Sequence, residues 1–131
     1  MRLPAKILVV DDEAVVCRSC SRVLAEDGYD VIAVFTGEDA LRRLEEDCFD
    51  VALVDLKIPG SGGLRVLRAI RKASPQTEVV VITGYPSVEN AKESIRLGAF
   101  DFVTKPFVPR TLRTVVSQAL ACKPWKMLER C

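Results

Sequence analysis

The 131-residue chain contains no histidine. That absence removes Ser-His-Asp and Cys-His catalysis and any imidazole-ligated metal, leaving carboxylates, hydroxyls, amines and thiols to carry chemistry. No apolar run approaches the roughly 18–20 residues of a membrane span, and Met1-Arg2-Leu3-Pro4 lacks the apolar stretch of a signal peptide. The expected location is the cytoplasm, with no membrane contact. An excess of charge is lacking too: 19 Lys and Arg against 18 Asp and Glu give a net +1, which argues against direct nucleic-acid binding by this domain. Five cysteines are scattered along the chain. Cys17 and Cys20 form a C-x-x-C, but it lies inside a helical pattern with no second pair to complete a zinc site. All five are expected to be small buried or half-buried thiols. Internal repeats and low-complexity segments are absent.

What is present is one domain's worth of chain, 49% hydrophobic and 28% charged, long enough to bury a core. The domain is expected over residues 1–122, with 123–131 a tail or the start of a linker. Val51-Ala52-Leu53-Val54 followed by Asp55 reads as a strand buried on both faces that delivers a carboxylate to a turn. Lys6 to Val10 gives a first such run, ending in Asp11-Asp12-Glu13. Further strands are expected over Asp30–Phe35, Glu78–Thr83 and Phe100–Lys105. Between them, 3.6-residue periodicity predicts helices. The first begins at Ala14 and stops at Gly28. Thr36 with Asp39 opens the second, and Gly60-Ser61-Gly62-Gly63 leads into the third. Ser87 caps the fourth, which Gly98 closes, and Pro109 sits in the first turn of the last. This alternation predicts an α/β fold: a five-stranded parallel sheet, doubly wound with helices on both faces.

In such a sheet, ligands sit at the carboxyl ends of the strands. If the strand order is 2-1-3-4-5, the first and third strands are neighbours, and Asp11, Asp12 and Asp55 crowd together beside Lys105 and Thr83. Taken singly, Asp55 could cap a turn and Asp11-Asp12 could cap the first helix. Taken together, crowded carboxylates stay ionised only when neutralised. Mg²⁺ does this with carboxylates, waters and a phosphate oxygen, and Lys105 adds a second cation. The set suits phosphoryl transfer, with Asp55 as nucleophile forming an aspartyl phosphate.

Val9-Val10-Asp11-Asp12-Glu13, Val54-Asp55-Leu56-Lys57-Ile58-Pro59-Gly60, Ile82-Thr83-Gly84, Gly98-Ala99-Phe100-Asp101-Phe102 and Lys105-Pro106-Phe107 together resemble the receiver domain of bacterial two-component response regulators, over about residues 5–122. The resemblance implies a flavodoxin-like receiver fold and a phosphorelay function. Asp55 would be the phosphoacceptor, supplied by a histidine kinase or phosphotransfer protein. Asp12, Asp55 and the Lys57 carbonyl would ligate Mg²⁺, with Asp11 acting through water. Lys105 and Thr83 would hold the phosphoryl group, Thr83 and Phe102 would form the switch, and Lys105-Pro106 would be cis. The chain would not be an enzyme beyond its own phosphorylation and dephosphorylation. Receivers of enhancer-binding transcription activators are the nearest in look, which implies a transcriptional output. Three positions depart from the usual pattern: Gly62 where an acidic residue is common, Arg110 at the opening of the last helix, and Phe102 in place of Tyr.

Two other functions compete. A Mg²⁺-dependent hydrolase with an aspartyl-phosphate intermediate would need an acid two residues after the nucleophile, where Lys57 stands. A flavodoxin-like mononucleotide binder would need a phosphate-binding loop after the first strand, where Asp11-Asp12-Glu13 has the wrong charge. The face built from the fourth helix, fifth strand and fifth helix mixes signs, with Glu89, Lys92, Glu93, Arg96, Asp101, Arg110 and Arg113. It is expected to support homodimerisation on phosphorylation.

Overall fold

The computed structural model describes residues 4–58 and 62–122. The elements alternate strictly: β1 (Lys6–Val10), α1 (Ala14–Glu26), β2 (Asp30–Val34), α2 (Gly37–Glu46), β3 (Val51–Asp55), α3 (Gly63–Ala73), β4 (Glu78–Thr83), α4 (Val88–Arg96), β5 (Asp101–Thr104) and α5 (Pro109–Ala121). All pairings are parallel, and the strand order is β2-β1-β3-β4-β5. The expected doubly wound fold is therefore the observed one.

Two strands are shorter than the sequence reading predicts. Phe35 lies outside β2, because the ladder with β1 closes at the Val10–Val34 pair and the Asp11 N–H bonds the Val34 carbonyl. Phe100 and Lys105 flank β5. Their N–H groups still bond Val79 and Thr83 of β4, but the paired register runs only from Asp101 to Thr104. Residues Pro59, Gly60, Ser61 and 123–131, which carry the turn after β3 and the tail, lie outside the described residues.

The three central strands read as continuous apolar runs because both of their faces are covered. Their side chains sort by period two. Ile7, Val9, Val51, Leu53, Val80 and Ile82 enter one cluster, with Cys17, Cys20 and Leu24 of α1 and Leu112, Val115 and Val116 of α5. Leu8, Val10, Ala52, Val54, Val79 and Val81 enter the other, with Ala40 of α2 and Val66, Leu67 and Ile70 of α3. Residues continuing each strand inherit these sides. Asp11, Asp55 and Lys105 follow Val9, Leu53 and Val103 on the α1/α5 side, whereas Thr83 follows Val81 on the other side. Phe102, the register partner of Val81, also packs against that second cluster.

The caps form as the sequence predicts. Thr36 accepts from the Asp39 N–H at 3.1 Å and Ser87 from the Asn90 N–H at 3.0 Å. Gly98 ends the fourth helix with φ +103°. The first helix behaves differently. Its N-cap is Glu13, without a side-chain capping bond, so Asp11 and Asp12 do not cap it. No described helix is long and apolar enough to cross a membrane. The cysteines divide: Cys17 and Cys20 are buried free thiols, as expected, while Cys122 is exposed. Burial pushes the Cys17 thiol up to about 11 and the Cys20 thiol up to about 12, so neither is reactive at neutral pH.

Candidate phosphoacceptor site

Asp11 follows β1 and Asp55 ends β3. Because those strands are adjacent, their carboxylates meet at the carboxyl edge of the sheet. Both are buried, at 0% and 3% exposure, while Asp12 is exposed. One oxygen from each of Asp11, Asp12 and Asp55 lies within 4.8 Å of the others.

Lys105 arrives from the end of β5 and reaches across β4. Its Nζ lies 2.7 Å from Asp11 Oδ2, 3.0 Å from Asp55 Oδ2 and 2.9 Å from Glu13 Oε1. One ammonium thus faces three carboxylates and cannot neutralise them all. Backbone donors fix the other oxygens: the Glu13 N–H bonds Asp11 Oδ1 at 2.9 Å, and the Lys57 N–H bonds Asp55 Oδ1 at 3.0 Å. Asp11 Oδ2 is buried and makes no hydrogen bond, leaving the ion pair with Lys105 as its compensation.

These environments pull the ionisable groups apart. Burial raises the Asp11 pKa above the ordinary carboxylate value, and the Asp55 charge adds to the rise. The Lys105 ammonium and the Glu13 N–H oppose it without cancelling it. Burial would lower the Lys105 pKa, but the carboxylates of Asp11, Glu13 and Asp55 around it together outweigh that and hold it above the usual lysine value. Lys105 is a fixed cation here.

Thr83 is fully buried, and its hydroxyl accepts the Tyr85 N–H at 3.0 Å. It belongs to the same edge but not to the ion-paired group. Phe102 is half-buried. The Lys105–Pro106 bond is cis, as the resemblance implied. Lys57 and Tyr85 line one cleft with Asp12, Asp55 and Lys105, and Lys57 Nζ lies 5.0 Å from the centre of the Tyr85 ring.

Three contacts escaped the sequence reading. Glu13 was visible as the third acid of the Asp11-Asp12-Glu13 run, but its pairing with a lysine 92 residues away needs the fold. The Cys17 thiol, 3.2 Å from the Asp11 carbonyl, is a tertiary detail that no local signal announces. The Lys57–Tyr85 contact joins two loops and is likewise invisible in the chain's order.

The donor set fits a hard divalent cation: three carboxylates in mutual reach, all oxygen, with one buried oxygen lacking a hydrogen bond. The family model for the response regulator receiver domain matches residues 7–117. The chain belongs to that family. Receivers of this family bind Mg²⁺ at an acidic pocket and take phosphoryl groups from histidine kinases, and this chain carries such an acidic cluster.

Similar curated proteins are the regulatory protein AtoC of Escherichia coli, 36% identical over 121 residues, and the transcriptional regulatory protein ZraR of Salmonella typhimurium, 34% identical over 115 residues. The matches cover 92% and 88% of this chain, which spans about a quarter of the length of those relatives, 26% of each. Among solved structures, the signal receiver domain of a putative LuxO repressor from Vibrio parahaemolyticus superposes with a TM-score of 0.90 at 30% identity, covering 96% of this chain and 97% of that one. A CheY-like receiver from Methanospirillum hungatei gives 0.89 at 32% identity, covering 92% and 96%.

Proposed function

We propose that this receiver accepts a phosphoryl group on Asp55 from a histidine kinase or phosphotransfer protein and switches a transcriptional output in the cytoplasm. The observation that carries this reading is the position of Lys105 Nζ, within 3.0 Å of both Asp11 Oδ2 and Asp55 Oδ2, in a cluster of three aspartates. An Asp55 oxygen attacks phosphorus, the bond from phosphorus to the donor imidazole breaks, and the imidazole leaves with the electron pair and is protonated by solvent. Asp12, Asp55 and the Lys57 carbonyl would ligate Mg²⁺ directly, and Asp11 through water. Bound there, Mg²⁺ neutralises charge on the transferring oxygens. Lys105 moves from its carboxylates to a phosphoryl oxygen, and Asp55 leaves the free carboxylate state. The chain's own activity is limited to phosphorylating and dephosphorylating itself. The receiver is taken as residues 1–122.

Thr83 and Phe102 form the switch. To donate to the phosphoryl group, the Thr83 hydroxyl swings toward the site and gives up the Tyr85 N–H. Because Thr83 and Phe102 share a side of the sheet, the vacated space is open to the Phe102 ring. The signal leaves through α4, β5 and α5, where Val88 and Ile95 are exposed, and a second copy of the chain is the expected partner. Sedimentation with and without beryllofluoride tests this, with a mass increase expected only in its presence.

The assignment of Asp55 is tested by intact mass after incubation with Mg²⁺ and a small acyl phosphate. Wild type should gain one hydroxylamine-labile phosphate and Asp55→Asn none. Labelling that persists in Asp55→Asn would defeat the assignment.

A further inference from the structure

Two consecutive glycines open α3, for different physical reasons. Gly62, the N-cap, has φ +77°, and a Cβ there would meet nothing within 4 Å. Its glycine answers to backbone conformation. Gly63, the first helical residue, is not among the positive-φ glycines, so its backbone suits any residue. Alanine in a helix is favoured over glycine by about 1 kcal/mol, so helix formation alone argues against Gly63.

What Gly63 cannot accept is a Cβ. An ideal Cβ would lie 2.3 Å from the Asp55 carbonyl oxygen, 2.5 Å from Leu56 Cα and 2.9 Å from the Asp55 carbonyl carbon. All three are backbone atoms, with no flexible side chain to yield. The Gly63 N–H also donates to the Leu56 carbonyl at 3.0 Å. The first turn of α3 therefore rests directly on the peptide joining Asp55 to Leu56. On its other side, that segment is held by the Leu56 N–H bonding Ile82 O of β4 at 3.2 Å, and by the Lys57 N–H bonding Asp55 Oδ1 at 3.0 Å.

We propose that Gly63 is a positioning residue for the reaction at Asp55: the missing Cβ lets α3 seat on the Asp55–Leu56 peptide and fixes where the carboxylate and the Lys57 backbone sit. The proposal rests on the reading of Asp55 as phosphoacceptor and Mg²⁺ ligand. A Cβ at Gly63 needs a shift of about an ångström to reach ordinary van der Waals contact. Either α3 backs away or the Asp55–Leu56 segment moves, and a displacement of that size costs on the order of a hundredfold in a positioned reaction.

The test compares Gly63→Ala with Gly62→Ala by thermal unfolding, calorimetric Mg²⁺ affinity and the rate of phosphorylation by acetyl phosphate. Gly63→Ala should fold, bind Mg²⁺ about tenfold more weakly and react roughly ten- to hundredfold more slowly. Gly62→Ala should lose stability through its strained φ while keeping wild-type Mg²⁺ affinity and rate. Should Gly63→Ala not fold, a variant with one glycine inserted between Gly62 and Gly63 retracts the helix without adding a Cβ, and should show the same loss of Mg²⁺ affinity. Wild-type affinity and rate in a folded Gly63→Ala, or in the insertion variant where Gly63→Ala does not fold, would overturn the proposal. A wild-type protein that neither binds Mg²⁺ nor takes up phosphate would instead overturn the reading of Asp55 itself.

Discussion

The two ends of the sheet handle buried polar groups in opposite ways. At the amino end, Asp50 is buried and accepts the Lys6 N–H at 2.8 Å. Thr77, also buried, donates to the Phe49 carbonyl at 2.7 Å and pairs with the Ser74 hydroxyl at 2.7 Å. Arg71 Nη1 closes the turn by donating to the Pro75 and Thr77 carbonyls, each at 3.1 Å. Polar groups there meet partners chosen by the backbone, and the result is a joint. At the carboxyl end, Asp11, Glu13 and Asp55 share one ammonium, and Asp11 Oδ2 has no hydrogen bond. That end sets three carboxylates against one ammonium, the arrangement that the proposed Mg²⁺ and phosphoryl group would complete. Satisfied burial marks structure; unsatisfied burial of charge marks function.

The comparison is open to experiment, beginning where the effect is largest. Thr77→Val keeps the shape but strands the Phe49 carbonyl and the Ser74 hydroxyl in the interior. It should destabilise the fold by about 1–3 kcal/mol in chemical denaturation, with Mg²⁺ affinity unchanged. At the other end the sign reverses. Asp11→Asn, measured without Mg²⁺, should raise the melting temperature at neutral pH, because the buried charge is a burden on the unloaded fold. Since burial raises the folded pKa of Asp11, its unfavourable contribution is absent below the unfolded value near 3.8 and grows as pH rises through the folded value. The stability gap between Asp11→Asn and wild type should therefore close below about pH 4. An advantage that persisted there would point to packing rather than charge. The smallest effect lies on the exposed surface of α4: breaking the Arg96–Glu93 pair with Arg96→Ala should leave thermal stability unchanged within error.

Much of this contrast was legible in the chain. The apolar runs of β1, β3 and β4 and the charged residues after them announce a parallel sheet with a charged cluster at its carboxyl edge, because strand period and crossover length are local properties. Thr36 and Ser87 gave away their helices for the same reason. Glu13 meeting Lys105, Cys17 meeting the Asp11 carbonyl and Gly63 meeting the Asp55 carbonyl depend on segments brought together by the fold, and residue type alone does not encode them. Gly62 and Gly63 look alike in sequence, yet one answers to a dihedral angle and the other to a collision. Thr83 was rightly placed at the edge, but its resting partner, the Tyr85 N–H, is a loop feature that strand periodicity does not report.

The most direct test of the claim that the carboxyl edge is built for a cation is a calorimetric Mg²⁺ titration of wild type, Asp12→Ala, Asp11→Ala and Asp50→Ala. The account predicts weak one-site binding to wild type, loss in Asp12→Ala, a smaller decrease in Asp11→Ala, and wild-type binding in folded Asp50→Ala. No binding to wild type, or equal losses from Asp12→Ala and Asp50→Ala, would contradict it.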